Sequence, residues 1–440
     1  MPKALPIKGS SKLLNAWAFY DWANSVYSLV IASAVFPIYY GALFRMSGVE
    51  EVEVFGGSIA RAPLISYVTS IAFVCIAIIV PLLSGIADYL GNKKSFMKFF
   101  CYLGALSCMG LYWFNLEHIY IGLIFYFLGL VGFWVSFAFY NSYLPDIAHP
   151  EQQDRISAKG FSLGYTGSVL LLLFNLAMVL SPSSFGITGT IDQPAELWAM
   201  RISFVSVGLW WIGFSQYTFY NLPLGFKKEG KRQHIIFNGF RELRLVWQQL
   251  KAALRLKRYL GAFFVYSMAV QTVMLIAAYF GEEEIDWGSD SNRTTGLIAS
   301  ILVIQVVAIL GATLTARISR LMGNISTLIL VNVLWFVICI YAYYVYTPSE
   351  FYIAAGAVGL VMGGIQALSR STYSKLLPET KDTTSFFSFY DVAEKIGIII
   401  GTFLYGFVAQ YTGSMRNATI FLGLFFAVGI LLLFRVPKAK

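Results

Sequence analysis

AFYDWANSVYSLVIASAVF at residues 18–36 aligns without gaps on AFFVYSMAVQTVMLIAAYF at residues 262–280. The identical positions in the first stretch are Ala18, Phe19, Val26, Ala34 and Phe36. A second echo joins YNSYLPD at 140–146 to YSKLLPE at 373–379, both of the form Y-x-x-x-L-P-acid. Equivalent stretches in the two halves of a membrane chain predict parallel repeats related by an axis along the membrane normal.

The composition surrounding these stretches is that of a membrane protein. Of the 440 residues, 58% are hydrophobic and only 12% are charged, whereas soluble domains are about 25% charged. A run of about 20 apolar residues crosses a bilayer, and such a span must be helical to satisfy its own backbone. Twelve runs qualify, at 16–43, 63–87, 95–115, 118–143, 158–181, 199–221, 259–280, 294–315, 324–347, 350–373, 385–410 and 415–435. The sequence therefore predicts an all-α polytopic protein with twelve transmembrane helices in two six-helix bundles.

The basic residues predict the orientation. Of the 32 Lys and Arg residues, 26 fall on the side of the termini, 5 fall on the other side, and Lys395 lies within a span. This asymmetry follows the positive-inside rule and predicts cytoplasmic termini. It also accounts for the net charge of +9 without any nucleic-acid partner. We expect a monomer in a bacterial cytoplasmic membrane.

The longest polar interruption divides the chain into a bundle at 1–221, a linker at 222–258 and a bundle at 259–440. The linker opens with GFKKEGKRQH at 225–234 and continues as FRELRLVWQQLKAALRLKR at 240–258. In that second segment apolar residues recur at helical spacing, and Arg and Lys occupy another face. Such a basic amphipathic helix is typical of the cytoplasmic membrane surface. It is interpreted as a linker or, alternatively, as a regulatory or partner-binding element.

The loop after the second span reads PLLSGIADYLGNKK at 81–94 and resembles the signature loop of the major facilitator superfamily. Asp88, Gly91 and Lys93 occupy matching positions of that pattern, G-x-x-x-D-R-x-G-R-R, while Ser84 and Tyr89 depart from it. At a helix end, Asp88 could accept hydrogen bonds from the facing bundle, and Gly91 permits a tight turn. These residues predict a conformational latch; the alternative is an ordinary polar loop.

A narrower resemblance covers nearly the whole chain. FYDWANSVYSLVIASAVFPIYY at 19–40 resembles the first-helix signature of the vacuole-effluxer, or autophagy-related permease, family. Similar stretches follow at 140–165, in the aromatic end of the sixth span and at 369–379. The resemblance implies a twelve-helix permease of the major facilitator fold, and in fungal members it implies amino-acid efflux.

Polar residues within the first span are candidates for solute binding, because an ionisable group is costly at the centre of a bilayer. Asp21 and Asn24 lie on one helical stripe, and Tyr27 flanks it. A carboxylate, an amide and an aromatic ring could together bind a solute that carries an ammonium group. Alternatively, Asp21 pairs with a basic residue near the cytoplasmic end.

In the superfamily, the first, fourth, seventh and tenth helices line the central cavity. This resemblance makes Tyr266, Gln271 and Gln366 further candidates for solute contact, with Gln305, Arg370 and Asn141 weaker ones; packing between helices is the alternative for each.

The eleventh span carries three charged residues, Asp391, Glu394 and Lys395. Asp391 and Lys395 are one turn apart with the acid first, which favours an ion pair between them. That pairing would leave Glu394 free to bind and release a proton, so we hypothesise that Glu394 carries the coupling proton. The alternative is a neutralised charge cluster that joins the halves.

No sequence pattern for catalysis, a metal or a cofactor is present: the chain lacks a Walker loop, a dinucleotide fingerprint and histidines at metal-binding spacing. The sequence thus predicts a non-enzymatic secondary transporter. It would move a small polar solute, an amino acid being one candidate, by alternating access, with protons as the coupling ion. The alternative is a sensor, scaffold or lipid-moving protein that retains the permease fold.

Overall fold

Apolar helices make up almost all of this computed structural model, which describes residues 7–49, 51–54, 56–190, 194–225 and 235–437. The elements of the N-terminal half are α1 (Ser11–Val26), a π-helical segment (Tyr27–Val35), α2 (Phe36–Ser47), β1 (Glu51–Val54), β2 (Gly57–Ala60), α3 (Arg61–Leu90), α4 (Lys93–Gly110), a 3-10 turn (Leu111–Trp113), α5 (Ile119–Asn141), α6 (Leu144–Ile147), α7 (Pro150–Leu180), a 3-10 turn (Pro182–Phe185) and α8 (Ala195–Asn221). The remaining elements are α9 (Ile235–Ala252), α10 (Leu254–Glu284), α11 (Asp290–Met322), α12 (Asn324–Tyr343), α13 (Pro348–Leu376), α14 (Thr383–Thr412) and α15 (Met415–Phe434).

Eleven helices in the described ranges are long and apolar enough to cross a membrane, with Ser11–Ser47 counted as one. The remaining predicted span, 95–115, corresponds to α4 and its 3-10 turn. Its 18-residue helix begins with lysines that lower its hydropathy. It packs along α5 and α8, and Gly104 and Gly132 allow the first contact: a Cβ on Gly132 would lie 2.4 Å from the Gly104 backbone. The all-helical membrane fold is confirmed.

The two largest hydrophobic cores among the described residues divide the molecule. We call Ser11–Asn221 the N-terminal half and Leu254–Phe434 the C-terminal half. Buried side chains from Leu13 to Leu222 form one core, and those from Val246 to Val436, together with Tyr165 of α7, form the other. The contacts between the halves run mainly along α3 with α14 and along α7 with α11 and α13.

The two ends of the bundle differ. At one end, the segment after residue 6 meets the loop between α6 and α7, where the Gly9 amide donates to the Ile147 carbonyl over 2.7 Å. Arg258 at the start of α10 donates to the Arg435 carbonyl over 2.8 Å at this same end. We call this end the terminus side. The hairpin of β1 and β2 follows α2 at the opposite side, with Glu51 paired to Ala60 and Val54 to Gly57.

The linker departs from its predicted extent. The amphipathic helix α9 ends at Ala252, and α10 starts at Leu254, so Leu254 and the basic residues up to Arg258 begin the seventh span instead of ending the linker helix. The apolar pattern of the two helices is in register, which hides the break at Ala253 from a reading of periodicity alone. The basic stretch at 226–234 lies outside the described residues.

Candidate functional site

The buried ion pair between Asp21 of α1 and Arg370 of α13 joins the two halves. Asp21 is 1% exposed and Arg370 also 1%. The Asp21 Oδ2 atom accepts from Arg370 Nη2 over 3.2 Å and from the Tyr140 hydroxyl over 2.8 Å. The structure thus places the predicted solute-binding carboxylate opposite a cation from the other half.

The other hydrogen bonds that the structure describes for Arg370 also reach into the N-terminal half. Its Nε donates to Ser157 Oγ over 2.9 Å, its Nη1 to Asn141 Oδ1 over 3.2 Å, and its Nη2 to the Ser157 carbonyl over 3.1 Å. The guanidinium also lies 4.8 Å from the Trp17 ring centre and 4.3 Å from that of Phe161. The Arg370 side chain, which belongs to the C-terminal half, is therefore held by polar groups of the N-terminal half.

Asn24 and Tyr27 lie deeper on the same helix. Both are buried, and among the described residues the Asn24 Nδ2 and the Tyr27 hydroxyl have no hydrogen-bond partner. The Tyr27 ring stacks on Phe133 with centroids 4.9 Å apart. Tyr27 also begins the nine-residue π-helical segment, a rare conformation that is frequent at functional sites. The sequence contained no signal for this segment.

The charges of α14 form a different pair from the one predicted. Lys395 Nζ lies 2.5 Å from Glu394 Oε2, and Gln271 Nε2 of α10 donates to Glu394 Oε1 over 2.7 Å. The ammonium also lies 3.4 Å from the ring centre of Trp134 in α5. The predicted pair of Asp391 with Lys395 is wrong, because Lys395 turns toward Trp134 and Glu394 at the seam between the halves.

Asp391 is the carboxylate left without a full set of donors. It is 4% exposed, and within the described part of the chain its Oδ2 atom has no hydrogen-bond partner. Glu394, by contrast, has a donor on each oxygen. The premise that Glu394 is the free acid is therefore wrong, and Asp391 takes that place.

Tyr266 and Gln366, the other predicted solute contacts, are both engaged. The Tyr266 hydroxyl lies 2.7 Å from Ser369 Oγ within the C-terminal half. Gln366 Oε1 accepts from the Tyr165 hydroxyl over 2.6 Å, which adds a contact between α13 and α7. Gln366 thus belongs to the seam, while Tyr266 braces α10 against α13.

The signature loop contacts the start of α14. Asp88 Oδ2 accepts from the Ser385 amide over 2.7 Å, and its Oδ1 from the Thr384 amide over 3.4 Å. These amides belong to the first turn of α14, where free N–H groups and the helix dipole favour an anion. The chain then turns at Gly91, whose φ of 62° is left-handed.

Lys93 completes this contact. Its Nζ donates to the Ser142 carbonyl and to Thr383 Oγ1, each over 3.0 Å, and forms an ion pair with Asp146. The ammonium therefore ties the loop to the end of α5 and to α14 of the other half. The three residues predicted as a latch lie at one contact between the halves.

A second contact at the terminus side was missed in the sequence. Asp154 at the start of α7 lies 2.5 Å from Lys375 Nζ and accepts from Asn324 Nδ2 over 2.9 Å and from Ser319 Oγ over 3.2 Å. All three donors belong to the C-terminal half. Lys375 stands inside the repeated Y-x-x-x-L-P-acid stretch, which was the available signal. The bonds between the halves, as far as the structure describes them, lie between the terminus side and the middle of the bundle.

Comparisons with known proteins agree with this architecture. The sequence model of the family described as "Vacuole effluxer Atg22 like" matches residues 9–440. The uncharacterized MFS-type transporter YxiO of Bacillus subtilis (strain 168) is 31% identical, covering 98% of this chain and 96% of its own. Autophagy-related protein 22-1 of Aspergillus clavatus is 26% identical over 91% of this chain and 78% of its own.

Solved structures resemble the fold. The major facilitator transporter FucP in its outward conformation superposes with a TM-score of 0.71 at 15% identity, covering 97% of this chain and 99% of that one. The proton:xylose symporter XylE superposes with a TM-score of 0.66 at 12% identity, over 98% and 96% of the two chains. At these identities the likeness carries the fold alone.

Proposed function

Because this chain belongs to the vacuole effluxer Atg22-like family, we propose that it transports a small zwitterionic solute, such as an amino acid, by proton-coupled alternating access. The protein is a multi-pass membrane transporter of the major facilitator type, and its family and fold are not those of enzymes. The solute, the coupling ion and the orientation are the proposed parts.

The proposed orientation places the terminus side in the cytoplasm. The 26 basic residues on that side, against 5 on the other, support this orientation. The bacterial origin of the relative YxiO supports a cytoplasmic membrane. With this orientation the structure is closed toward the cytoplasm, because the described bonds between the halves lie between the terminus side and the middle of the bundle. The N-terminal and C-terminal halves would then rock about the solute site, with the protein acting as a monomer.

The observation that carries the proposal is the pair of Glu394 and Lys395 beside Gln271 and Trp134. Lys395 lies roughly 18 Å along α14 from its first residue, near mid-membrane, at 1.5 Å per residue. A solute carboxylate could replace Glu394 on Lys395 and Gln271. A solute ammonium could take the place of Lys395 over the Trp134 ring and on Glu394. A zwitterion satisfies both groups at once, whereas a singly charged solute leaves one charge buried and unpaired.

Asp391 supports proton coupling. Together with Glu394 and Lys395 it forms a group of two carboxylates and one ammonium, whose ionised form carries one net negative charge. One proton on Asp391 neutralises the group, and a neutral group crosses the middle of the bilayer at lower cost. Asp391→Asn should therefore abolish uptake driven by a pH gradient while solute exchange without a gradient continues. Loss of exchange together with uptake, in a variant whose thermal stability is unchanged, would contradict this role.

A thermal-shift screen tests the zwitterion site. We expect amino acids to raise the melting temperature of the purified protein. Matched amines or carboxylic acids with one charge should need at least tenfold higher concentrations for the same shift, since a charge-assisted hydrogen bond contributes about 1.5–3 kcal/mol to binding. Lys395→Met and Glu394→Gln should remove the shift, whereas Glu117→Gln, an exposed carboxylate outside the seam, should retain it. Equal stabilisation by the singly charged analogues would refute the proposed site and favour a different solute.

A further inference from the structure

The linker helix α9 contacts both halves at the terminus side. Against the N-terminal half, Gly239 packs on the last turns of α3, so closely that a Cβ on Gly85 would lie 2.3 Å from the Gly239 carbonyl oxygen. Against the C-terminal half, the Trp247 ring lies 5.3 Å from that of Phe389 in α14. Leu250, on the same face as Gly239, belongs to the C-terminal core. The helix therefore crosses the contact of α3 with α14.

This position ties α9 to the conformation of the transporter. The contact that it crosses is the one made by Asp88 with the first turn of α14. Opening the terminus side separates α3 from α14, so α9 can then keep its packing contact with only one of these two helices. Any partner that binds α9 while it contacts both α3 and α14 stabilises the closed state, since a ligand shifts an equilibrium by its differential affinity for the two states.

The exposed face of α9 has the chemistry of a membrane contact. At 100° per residue, Phe237, Phe240, Arg244, Trp247 and Lys251 fall within a sector of about 80°. Its three aromatic side chains are 80%, 55% and 43% exposed, in chain order, and both of its cations are exposed. We call these five residues the aromatic-basic sector. It contains no acidic residue, and Lys251 Nζ lies 5.1 Å from the Trp247 ring centre.

We propose that the aromatic-basic sector binds the surface of a bilayer containing anionic phospholipid, and that this binding holds the terminus side closed. Aromatic rings settle at the level of the lipid headgroups, and Lys and Arg next to them attract anionic headgroups. The adjoining Arg241, also exposed, extends the basic surface. The lipid charge thereby sets how readily the halves separate.

Spin labels at Lys98→Cys and Glu379→Cys test the proposal by reporting the distance across the terminus side. Both positions are exposed, one in each half; Cys75, the one cysteine that is not buried, is replaced by Ser. The labelled protein is reconstituted in phosphatidylcholine alone and in a two-to-one mixture with phosphatidylglycerol. We expect the ratio of closed to open protein to rise about fivefold or more in the anionic mixture.

The decisive variant removes three α9 cations, Arg241→Gln, Arg244→Gln and Lys251→Gln, and should abolish the lipid response. A control with Lys12→Gln, Arg155→Gln and Arg320→Gln removes the same charge from exposed positions on the same side and should retain it. In the native protein, raising the salt concentration should weaken the response, because exposed charges are screened.

A direct contact readout accompanies the distances. Phosphatidylglycerol brominated on its acyl chains should quench Trp247, isolated as the difference from Trp247→Phe, more strongly than brominated phosphatidylcholine does. An equal lipid response of both triple variants, or equal quenching by the two brominated lipids, would overturn the proposal. These readouts do not require a known solute, so they succeed or fail independently of the transport activity.

Discussion

Replacing Arg370 by Met should open the terminus side of the transporter. In the closed structure the guanidinium donates four hydrogen bonds, all to acceptors of the N-terminal half. Met keeps much of the volume and none of the donors, so Asp21 would be left buried with the Tyr140 hydroxyl as its donor. In an open state we expect Asp21 to face the water-filled cavity, so this cost should fall on the closed state alone.

The size of the shift follows from the burial of the pair. Removing one partner of a buried ion pair costs about 3–5 kcal/mol, and each 1.4 kcal/mol is a factor of ten in an equilibrium constant. The ratio of closed to open protein should therefore fall by a factor of roughly 100 to 4,000. The distance between labels at Lys98→Cys and Glu379→Cys measures this ratio directly.

The double variant Asp21→Asn with Arg370→Met provides the control. Removing both charges leaves no uncompensated ion, so much of the closed population should return. Arg370→Met with an unchanged distance distribution would refute the reasoning. So would a double variant whose effects simply add, since the two charges would then not be coupled.

Three further predictions follow from other contacts. Asp88→Asn should raise the ratio of open to closed protein about fivefold, since losing the charge at the helix N-terminus costs about 1 kcal/mol; an unchanged distance distribution would contradict the latch. Arg416→Gln should lower the melting temperature and leave the distances unchanged, because Arg416 bonds only within the C-terminal half among the described contacts. Gly160→Ala should open the terminus side, because its Cβ would lie 2.3 Å from Asp21 Oδ2; Gly213→Ala, with open space around it, should be neutral in the same measurement.

The fold was readable from the sequence because a bilayer imposes a length and a polarity on each span. Neither the repeat of residues 18–36 at 262–280 nor the asymmetry of basic residues between the loops requires knowledge of contacts between helices. Among the predicted spans, α4 is the one whose hydropathy is reduced by lysines at its start. Its position between two clearly apolar spans still identifies it as a span.

The candidate site was less predictable, because it depends on which side chains meet across helices. Helical spacing marked Asp21 as a candidate for solute binding, but nothing in the sequence pairs it with Arg370, 349 residues away. The same spacing wrongly paired Asp391 with Lys395, because it considers neighbours on one helix only. The contacts of Lys395 with Trp134 and of Glu394 with Gln271 come from other helices. Long charged side chains reach across a seam, and local periodicity does not describe that reach.

Solute counterflow in proteoliposomes shows whether the protein carries amino acids across the membrane through Lys395. Vesicles containing the protein are loaded with unlabelled amino acids and diluted into a trace of labelled ones, with no ion gradient imposed. We expect transient accumulation of label by the native protein and by Asp391→Asn, and none by Lys395→Met. No accumulation by the native protein with any amino acid, or equal accumulation by Lys395→Met, would contradict it.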